Sequence, residues 1–150
     1  MACPLLFLPM LGKEAMGEKV LIVDDDTGAR ECYAQLFRRN GFEPCVAANG
    51  AWVERHLEQL KDIRVILLDH RMPGMTGLEL LKRLRRGGFR ASAFLISAHV
   101  SPEMLAEAER LGICEIFHKP VRSAALLKSV ADALAQFQEE DFREKPAGIP

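Results

Sequence analysis

The sequence has little that would mark a secreted, membrane-spanning or disordered protein. Its 150 residues include only one tryptophan, one tyrosine and four cysteines. No apolar run reaches the roughly 20 residues that a bilayer-spanning helix needs. An excess of one charge is also absent, because 20 Lys and Arg residues stand against 21 Asp and Glu residues. This balance disfavours nucleic-acid binding, which usually needs a basic excess, and it excludes an acidic disordered chain.

The cysteines show no pattern that indicates disulfides or a metal site. Cys3, Cys32, Cys45 and Cys114 are irregularly spaced and include no C-x-x-C pair. In a secreted chain they could form two disulfides, but a chain of this length buries enough surface to fold without them. We interpret them as small buried hydrophobic residues in a reducing cytosol, and we expect a cytoplasmic protein.

Length and composition predict one globular domain with two short ends. Residues 1–17 are apolar but broken by Pro4 and Pro9, and no Lys or Arg precedes the apolar stretch. We therefore expect a disordered extension, or a start site placed too early with Met16 as the initiator, rather than a signal peptide. We predict the domain over residues 18–138. We expect residues 139–150 to be a charged C-terminal tail, too short for an output domain.

Between the ends, short apolar runs alternate with segments of helical periodicity. The runs predict strands at Lys19–Asp24, Phe42–Ala47, Arg64–Asp69, Ala93–Ser97 and Glu115–His118. The periodic segments predict helices at Gly28–Asn40, Ala51–Leu60, Leu78 to Gly87, Pro102–Leu111 and Ser123–Phe137. Strict alternation predicts an α/β fold with a five-stranded parallel sheet and helices on both faces. Pro44 favours an edge position for the second strand.

Polar residues follow or end four of the five predicted strands. They are Asp24-Asp25-Asp26 after the first strand, Asp69 at the end of the third, Ser97 at the end of the fourth and Lys119 after the fifth. Ligands of open α/β sheets bind outside the carboxyl ends of the strands. These side chains, although distant in sequence, are therefore expected to converge on one crevice.

Together these residue types favour a site that handles a phosphoryl group. Clustered carboxylates repel one another unless a cation is near, and oxygen-only ligands suit Mg²⁺. A lysine keeps a neighbouring carboxylate ionised and binds an anion, and a hydroxyl adds a hydrogen bond. Each residue alone has an ordinary explanation: adjacent acids often form a solvated loop or a helix cap. The combination carries the inference.

Four motifs resemble the receiver domain of two-component response regulators, the CheY-like family. They are V-L-I-V-D-D-D at 20–26, L-L-D-H-R-M-P-G-M-T-G at 67–77, F-L-I-S-A-H at 94–99 and H-K-P at 118–120. The resemblance covers about residues 18–138. It implies a flavodoxin-like, doubly wound sheet of order 2-1-3-4-5, the strand order known for this family.

The resemblance implies a phosphoacceptor rather than a conventional enzyme. Asp69 matches the carboxylate that receives the phosphoryl group, and Asp24 and Asp25 match the acidic pair that holds Mg²⁺ together with Asp69. Arg71 is expected to offer its backbone carbonyl to the metal. The domain would catalyse its own phosphorylation and slow dephosphorylation, with a sensor histidine kinase or a phosphotransfer protein as donor.

Further roles follow from the same resemblance. Ser97 matches the switch hydroxyl and Lys119 the phosphate-binding lysine, with a cis bond to Pro120. Asp26 is expected to be a solvated or capping neighbour. The implied output is a downstream protein or a homodimer through the face formed by the fourth helix, fifth strand and fifth helix. Neither a nucleic acid nor a membrane is expected as a partner of this chain alone.

The chain departs from the family three residues before the lysine. Receivers usually carry Tyr or Phe there, whereas this chain has Ile116, and Phe117 is expected on the opposite strand face. His118 shares the side of Ile116 and is a candidate substitute. His70 and His99 are expected to flank the mouth of the site, where His99 and Arg71 can influence phosphoryl lifetime.

Two other functions remain open. One is a receiver-like protein-interaction module that has lost phosphorylation. The other, a hydrolase with an aspartate nucleophile, is disfavoured because the loop after Asp69 has no second carboxylate to act as acid or base.

Overall fold

The computed structural model describes the backbone of residues 16–144 and the side chains of residues 16–136. Its strands are β1 (Lys19–Val23), β2 (Glu43–Ala47), β3 (Val65–Asp69), β4 (Ser92–Ser97) and β5 (Glu115–His118). Its helices are α1 (Thr27–Arg39), α2 (Gly50–Arg55), α3 (Gly77–Arg86), α4 (Pro102–Arg110) and α5 (Ser123–Glu144), with a 3₁₀ helix at Leu57–Leu60. The predicted extension lies outside the described residues except for residues 16 and 17, whereas α5 continues through residues 139–144 of the predicted tail. The domain limits 18–138 stay predictions.

The five strands form one parallel sheet in the order β2-β1-β3-β4-β5. The predicted fold class and strand order are therefore confirmed. Each residue of β3 is buried, because helices cover both faces of this central strand. Pro44 lies in the edge strand β2, where the missing N–H costs little.

Alternating strand residues supply two separate hydrophobic cores. Ile22 and Leu67 pack with α1 and α5 on one face of the sheet. Their chain neighbours Leu21 and Leu68 pack with α3 on the other. The side chains of a strand point to opposite faces in turn, so a continuous apolar run is what a doubly covered sheet requires.

The second helix is shorter than the predicted Ala51–Leu60. It ends at Arg55, and the chain continues as the 3₁₀ helix Leu57–Leu60. The His56 ring nitrogen Nδ1 lies 2.6 Å from the Trp52 carbonyl oxygen, and the His56 amide donates to Val53 instead. In a continuing α-helix the His56 amide would donate to the Trp52 carbonyl, but here the His56 imidazole contacts that carbonyl instead. Such side-chain competition interrupts a helix without disturbing its hydrophobic pattern.

The last helix is longer than predicted, because α5 continues to Glu144 rather than ending at Phe137. The side chain of Phe137, which was expected to close its buried stripe, lies outside the described residues. The preceding stripe is confirmed, since Leu126, Leu127, Val130 and Leu134 are buried. No helix within residues 16–144 is long and apolar enough to cross a membrane.

The interpretation of the cysteines is correct only in part. Cys45 is half-buried and free, but Cys114 is free and exposed. Cys32 is half-buried and disulfide-bonded, contrary to the expectation of unbridged thiols. Cys3 lies outside the described residues. Irregular spacing is thus a poor guide to the state of individual cysteines.

Candidate functional site

The sheet brings the carboxyl ends of its strands to one edge. Parallel pairing aligns Val23 of β1 with Leu68 of β3, Asp69 with Ile96 of β4, and Ser97 with His118 of β5. The polar residues that end or follow these strands therefore meet at the same edge, as predicted. Four of the five strands contribute polar groups here: β1 and β3 lead to carboxylates, β4 ends in a hydroxyl and β5 leads to an amine.

Three carboxylates and one ammonium group form the centre of the site. Oxygen atoms of Asp24, Asp25 and Asp69 lie within 4.8 Å of one another. The Lys119 amine lies 3.0 Å from Asp69 Oδ1, in a salt bridge and hydrogen bond. Asp24 and Asp69 are only 2% and 6% exposed, whereas Asp25 is exposed. The cis bond expected between Lys119 and Pro120 is present.

The electrostatics show excess negative charge in this cluster. Burial raises the pKa of Asp24 to about 6, and repulsion from Asp69 and Asp25 adds to the rise. Burial likewise raises the pKa of Asp69, although Lys119 opposes this effect. A cation bound among these oxygens would stabilise the ionised forms of both carboxyl groups.

Ser97 reaches the site edge, but its hydroxyl contacts the loop that follows β4. Ser97 Oγ donates to the His99 carbonyl oxygen at 2.5 Å, and the His99 amide donates back to Oγ at 3.2 Å. The Lys119 amide donates to the Ser97 carbonyl at 2.9 Å, so β5 holds the backbone here. Ser97 is 4% exposed and thus lies within the wall of the site rather than at its surface.

The loop after Asp69 is held by backbone contacts that leave room only for glycine at its far end. The His70 amide donates to the Ile96 carbonyl, and the Gly77 amide donates to the His70 carbonyl. A Cβ atom at Gly77 would lie 2.6 Å from the Asp69 carbonyl oxygen. Arg71 lies exposed in this loop, and its carbonyl as a metal ligand stays a prediction.

The expected histidines differ in their surroundings. His99 is exposed, whereas His70 is half-buried. Among the described residues, His70 Nδ1 is buried and has no hydrogen-bond partner. Burial lowers the pKa of His70, although the nearby Asp69 carboxylate opposes this shift.

The strand before Lys119 has the expected arrangement of side chains. Phe117 is buried against the core shared by α1 and α5, and Ile116 packs against the opposite core. His118 is exposed. The aromatic side chain is therefore on the face away from the position that Ile116 occupies.

Two further residues support the acidic loop. Asp26 is the N-cap of α1, and its carboxylate accepts from the Ala29 amide at 3.0 Å, as the expected capping role requires. Arg30 was not singled out from the sequence. Its Nη1 donates to the Asp24 backbone carbonyl at 2.7 Å. An arginine one turn into the helix after an acidic run is a signal that could have drawn attention to it.

Replacing Asp26 with Ala should lower the free energy of unfolding by about 1 kcal/mol, because the helix loses its cap. Replacing it with Ser, which also caps well, should have little effect. We expect both variants to bind Mg²⁺ like the wild type, measured by calorimetry beside chemical denaturation. Weaker Mg²⁺ binding in both variants would show that Asp26 belongs to the metal site.

Comparison with known proteins identifies the family. The family model of the response regulator receiver domain matches residues 20–131. The chain belongs to the response regulator receiver family. Receiver domains of this family act in two-component systems, where they interact with kinases or phosphotransfer proteins and with downstream effectors.

Individual relatives agree with this membership. The receiver is 34% identical over 106 residues to sporulation initiation phosphotransferase F of Bacillus subtilis (strain 168), covering 70% of this chain and 84% of that one. It is 37% identical over 111 residues to the response regulator receiver protein Anae109_2439 of Anaeromyxobacter sp. (strain Fw109-5), covering 73% of this chain but only 45% of that one.

A solved structure supports the same fold. The crystal structure of chemotaxis protein CheY4 of Vibrio cholerae matches with a TM-score of 0.70 and 28% identity, covering 78% of this chain and 98% of that one. The described sheet and its helices are thus those of a complete receiver fold.

Proposed function

We propose that this receiver accepts a phosphoryl group on Asp69 from the phosphohistidine of a sensor histidine kinase or a phosphotransfer protein. The observation that carries the proposal is the position of Asp69. Its carboxylate is buried at the strand edge, beside two other carboxylates within 4.8 Å and the Lys119 amine at 3.0 Å. A receiver that had lost phosphorylation would have no need of this costly cluster of charges.

The chemistry requires an oxygen nucleophile and groups that stabilise charge. An oxygen of Asp69 attacks the phosphorus atom, the phosphorus–nitrogen bond breaks, and the donor imidazole leaves as the neutral base with a proton from its surroundings. The Lys119 ammonium group already faces Asp69 and can donate to a phosphoryl oxygen. Such positioned donors stabilise the negative charge that spreads over the transferring group.

The oxygen donors fit Mg²⁺. We propose that Asp24, Asp25 and Asp69 hold the ion, together with the backbone carbonyl of Arg71. An all-oxygen set with few carboxylates leaves coordination positions for water and for phosphoryl oxygens, as Mg²⁺ usually requires. Bound Mg²⁺ would supply positive charge to the phosphoryl oxygens during transfer.

Ser97 would report phosphorylation to the surface. We propose that its hydroxyl exchanges the His99 carbonyl for a phosphoryl oxygen, which moves the loop between β4 and α4. The surface of α4, β5 and α5 is the proposed binding face for a downstream protein or a second copy. Leu105 of α4 is 52% exposed there and offers apolar surface to a partner. A cytoplasmic location remains part of the proposal.

Incubating the full chain with acetyl phosphate and Mg²⁺ tests this function. We expect one phosphoryl group per chain by intact mass, and none when EDTA removes the metal. Labelling that persists in EDTA would contradict the metal-assisted site. A wild-type protein that is never labelled, and does not respond to beryllofluoride, would instead support the interaction module.

A further inference from the structure

Arg30 contacts the acidic loop through the backbone rather than through a carboxylate. Its Nη1 donates to the Asp24 carbonyl oxygen at 2.7 Å, and its own amide donates to the Asp26 carbonyl at 2.9 Å. Among the described residues, no salt bridge joins Arg30 to an acidic side chain. One residue of α1 thus holds two peptide groups of the loop that leads into this helix.

The three carboxylates are not equally well supported. Asp69 is the last residue of β3, and the Asp24 amide donates to Ala47 of β2 at 3.1 Å. Asp25 lies beyond the end of β1 and is exposed. Because like charges repel, Asp25 is the member that would move away from the cluster most easily.

The hydrogen bond of Arg30 acts on the position of Asp25. The Asp24 carbonyl belongs to the peptide group that joins Asp24 to Asp25, and peptide groups are planar. Fixing this oxygen restricts rotation about the backbone bonds on both sides of the peptide. The Cα atom of Asp25, to which its side chain is attached, is therefore restricted as well. A planar guanidinium with several donors is suited to hold a group in a fixed direction.

We propose that Arg30 is a positioning residue that keeps the Asp24–Asp25 peptide in place, so that the Asp25 carboxylate is arranged for a divalent cation before the cation binds. The inference rests on the proposed metal site. Groups that orient metal ligands without touching the metal commonly change affinity by about 10–100-fold when they are replaced. The positive charge of Arg30 acts in the opposite direction, because it repels a cation. If Arg30 acts by positioning Asp25, its removal should weaken Mg²⁺ binding. If it acts only through its charge, its removal should tighten Mg²⁺ binding.

Calorimetric titration of Mg²⁺ into the unphosphorylated full chain tests the proposal. We expect Arg30→Met to weaken binding about tenfold. Arg30→Lys should recover part of the affinity, because an ammonium group can still donate to the carbonyl. Arg39→Met is the matched control, since it removes an exposed cation from the last turn of the same helix. It should leave Mg²⁺ affinity unchanged.

A second measurement judges Arg30 without the metal. Hydrogen exchange of the Asp26 amide, which donates to Asp24 Oδ1 at 2.9 Å across the Asp24–Asp25 peptide, should become faster in Arg30→Met but not in Arg39→Met when it is followed by NMR in EDTA. If the wild type binds no Mg²⁺, the proposed metal site fails, and the exchange result still decides the role of Arg30. Unchanged exchange in Arg30→Met, or Mg²⁺ binding that is equal or tighter, would overturn the inference.

Discussion

Replacing Asp69 with Asn is expected to abolish phosphorylation by acetyl phosphate, even at saturating Mg²⁺. The amide has nearly the same shape as the carboxylate and can still accept a hydrogen bond from Lys119, which lies 3.0 Å from Oδ1 in the wild type. It carries no ionised oxygen to attack phosphorus, so the nucleophile is lost while the surrounding packing is kept. The expected result is complete loss of the added phosphoryl mass.

The control for this experiment is an exposed aspartate away from the site. Asp132 lies on α5 and is exposed, so Asp132→Asn removes the same charge without touching the cluster. It should be labelled like the wild type. Labelling retained in Asp69→Asn would show that another carboxylate, such as the neighbouring Asp25, accepts the phosphoryl group.

The strand–helix alternation was sufficient to predict the sheet because buried parallel strands and amphipathic helices have different hydrophobic periods. The meeting of Asp24, Asp69 and Lys119 followed from the same pattern. Parallel strands place their carboxyl ends at one edge, whatever the path of the connecting helices. These parts of the fold and site depend on strand direction and on which residues are buried, and both can be inferred from the hydrophobic pattern of the sequence.

The remaining features depend on contacts that leave no periodic signal. The hydrogen bond from Ser97 to the His99 carbonyl is set by the path of a loop. The early end of α2 results from the His56 ring taking a backbone acceptor. In the sequence, Arg30 cannot be distinguished from other polar residues of a helix. Only the structure shows its guanidinium within hydrogen-bond distance of the Asp24 carbonyl. Side-chain competition for backbone groups is local and geometric, so spacing alone could not predict it.

Replacing Asp24 with Asn is expected to stabilise the metal-free protein and to weaken its response to Mg²⁺. Asp24 is 2% exposed, and burial raises its pKa to about 6 from a usual value of 3.8. A pKa difference of this size corresponds to at most about 3 kcal/mol in the free energy of unfolding at high pH. The amide carries no charge and can still accept the hydrogen bond from the Asp26 amide.

The pH dependence gives this prediction a definite sign. The folded protein holds the Asp24 proton more tightly than the unfolded chain does, so this group loses stability as pH rises from about 3.8 to about 6. The difference between Asp24→Asn and the wild type should therefore be small near pH 4. It should grow to about 2–3 kcal/mol in favour of the variant at pH 8, measured by urea denaturation in EDTA.

Adding Mg²⁺ should make the wild type more stable than Asp24→Asn. Ligand binding to the native state stabilises it in proportion to the logarithm of ligand concentration over the dissociation constant. The wild type should therefore gain thermal stability as Mg²⁺ is added, whereas Asp24→Asn should gain little. Asp132→Asn again serves as the control and should respond like the wild type.

Two outcomes would contradict this account of Asp24. If Asp24→Asn is no more stable than the wild type at pH 8 in EDTA, the charge of Asp24 does not destabilise the metal-free protein. An equal response to Mg²⁺ would remove Asp24 from the metal site. Because the same buried charge would weaken the empty protein and bind the ion, we expect both effects to disappear together in this single substitution.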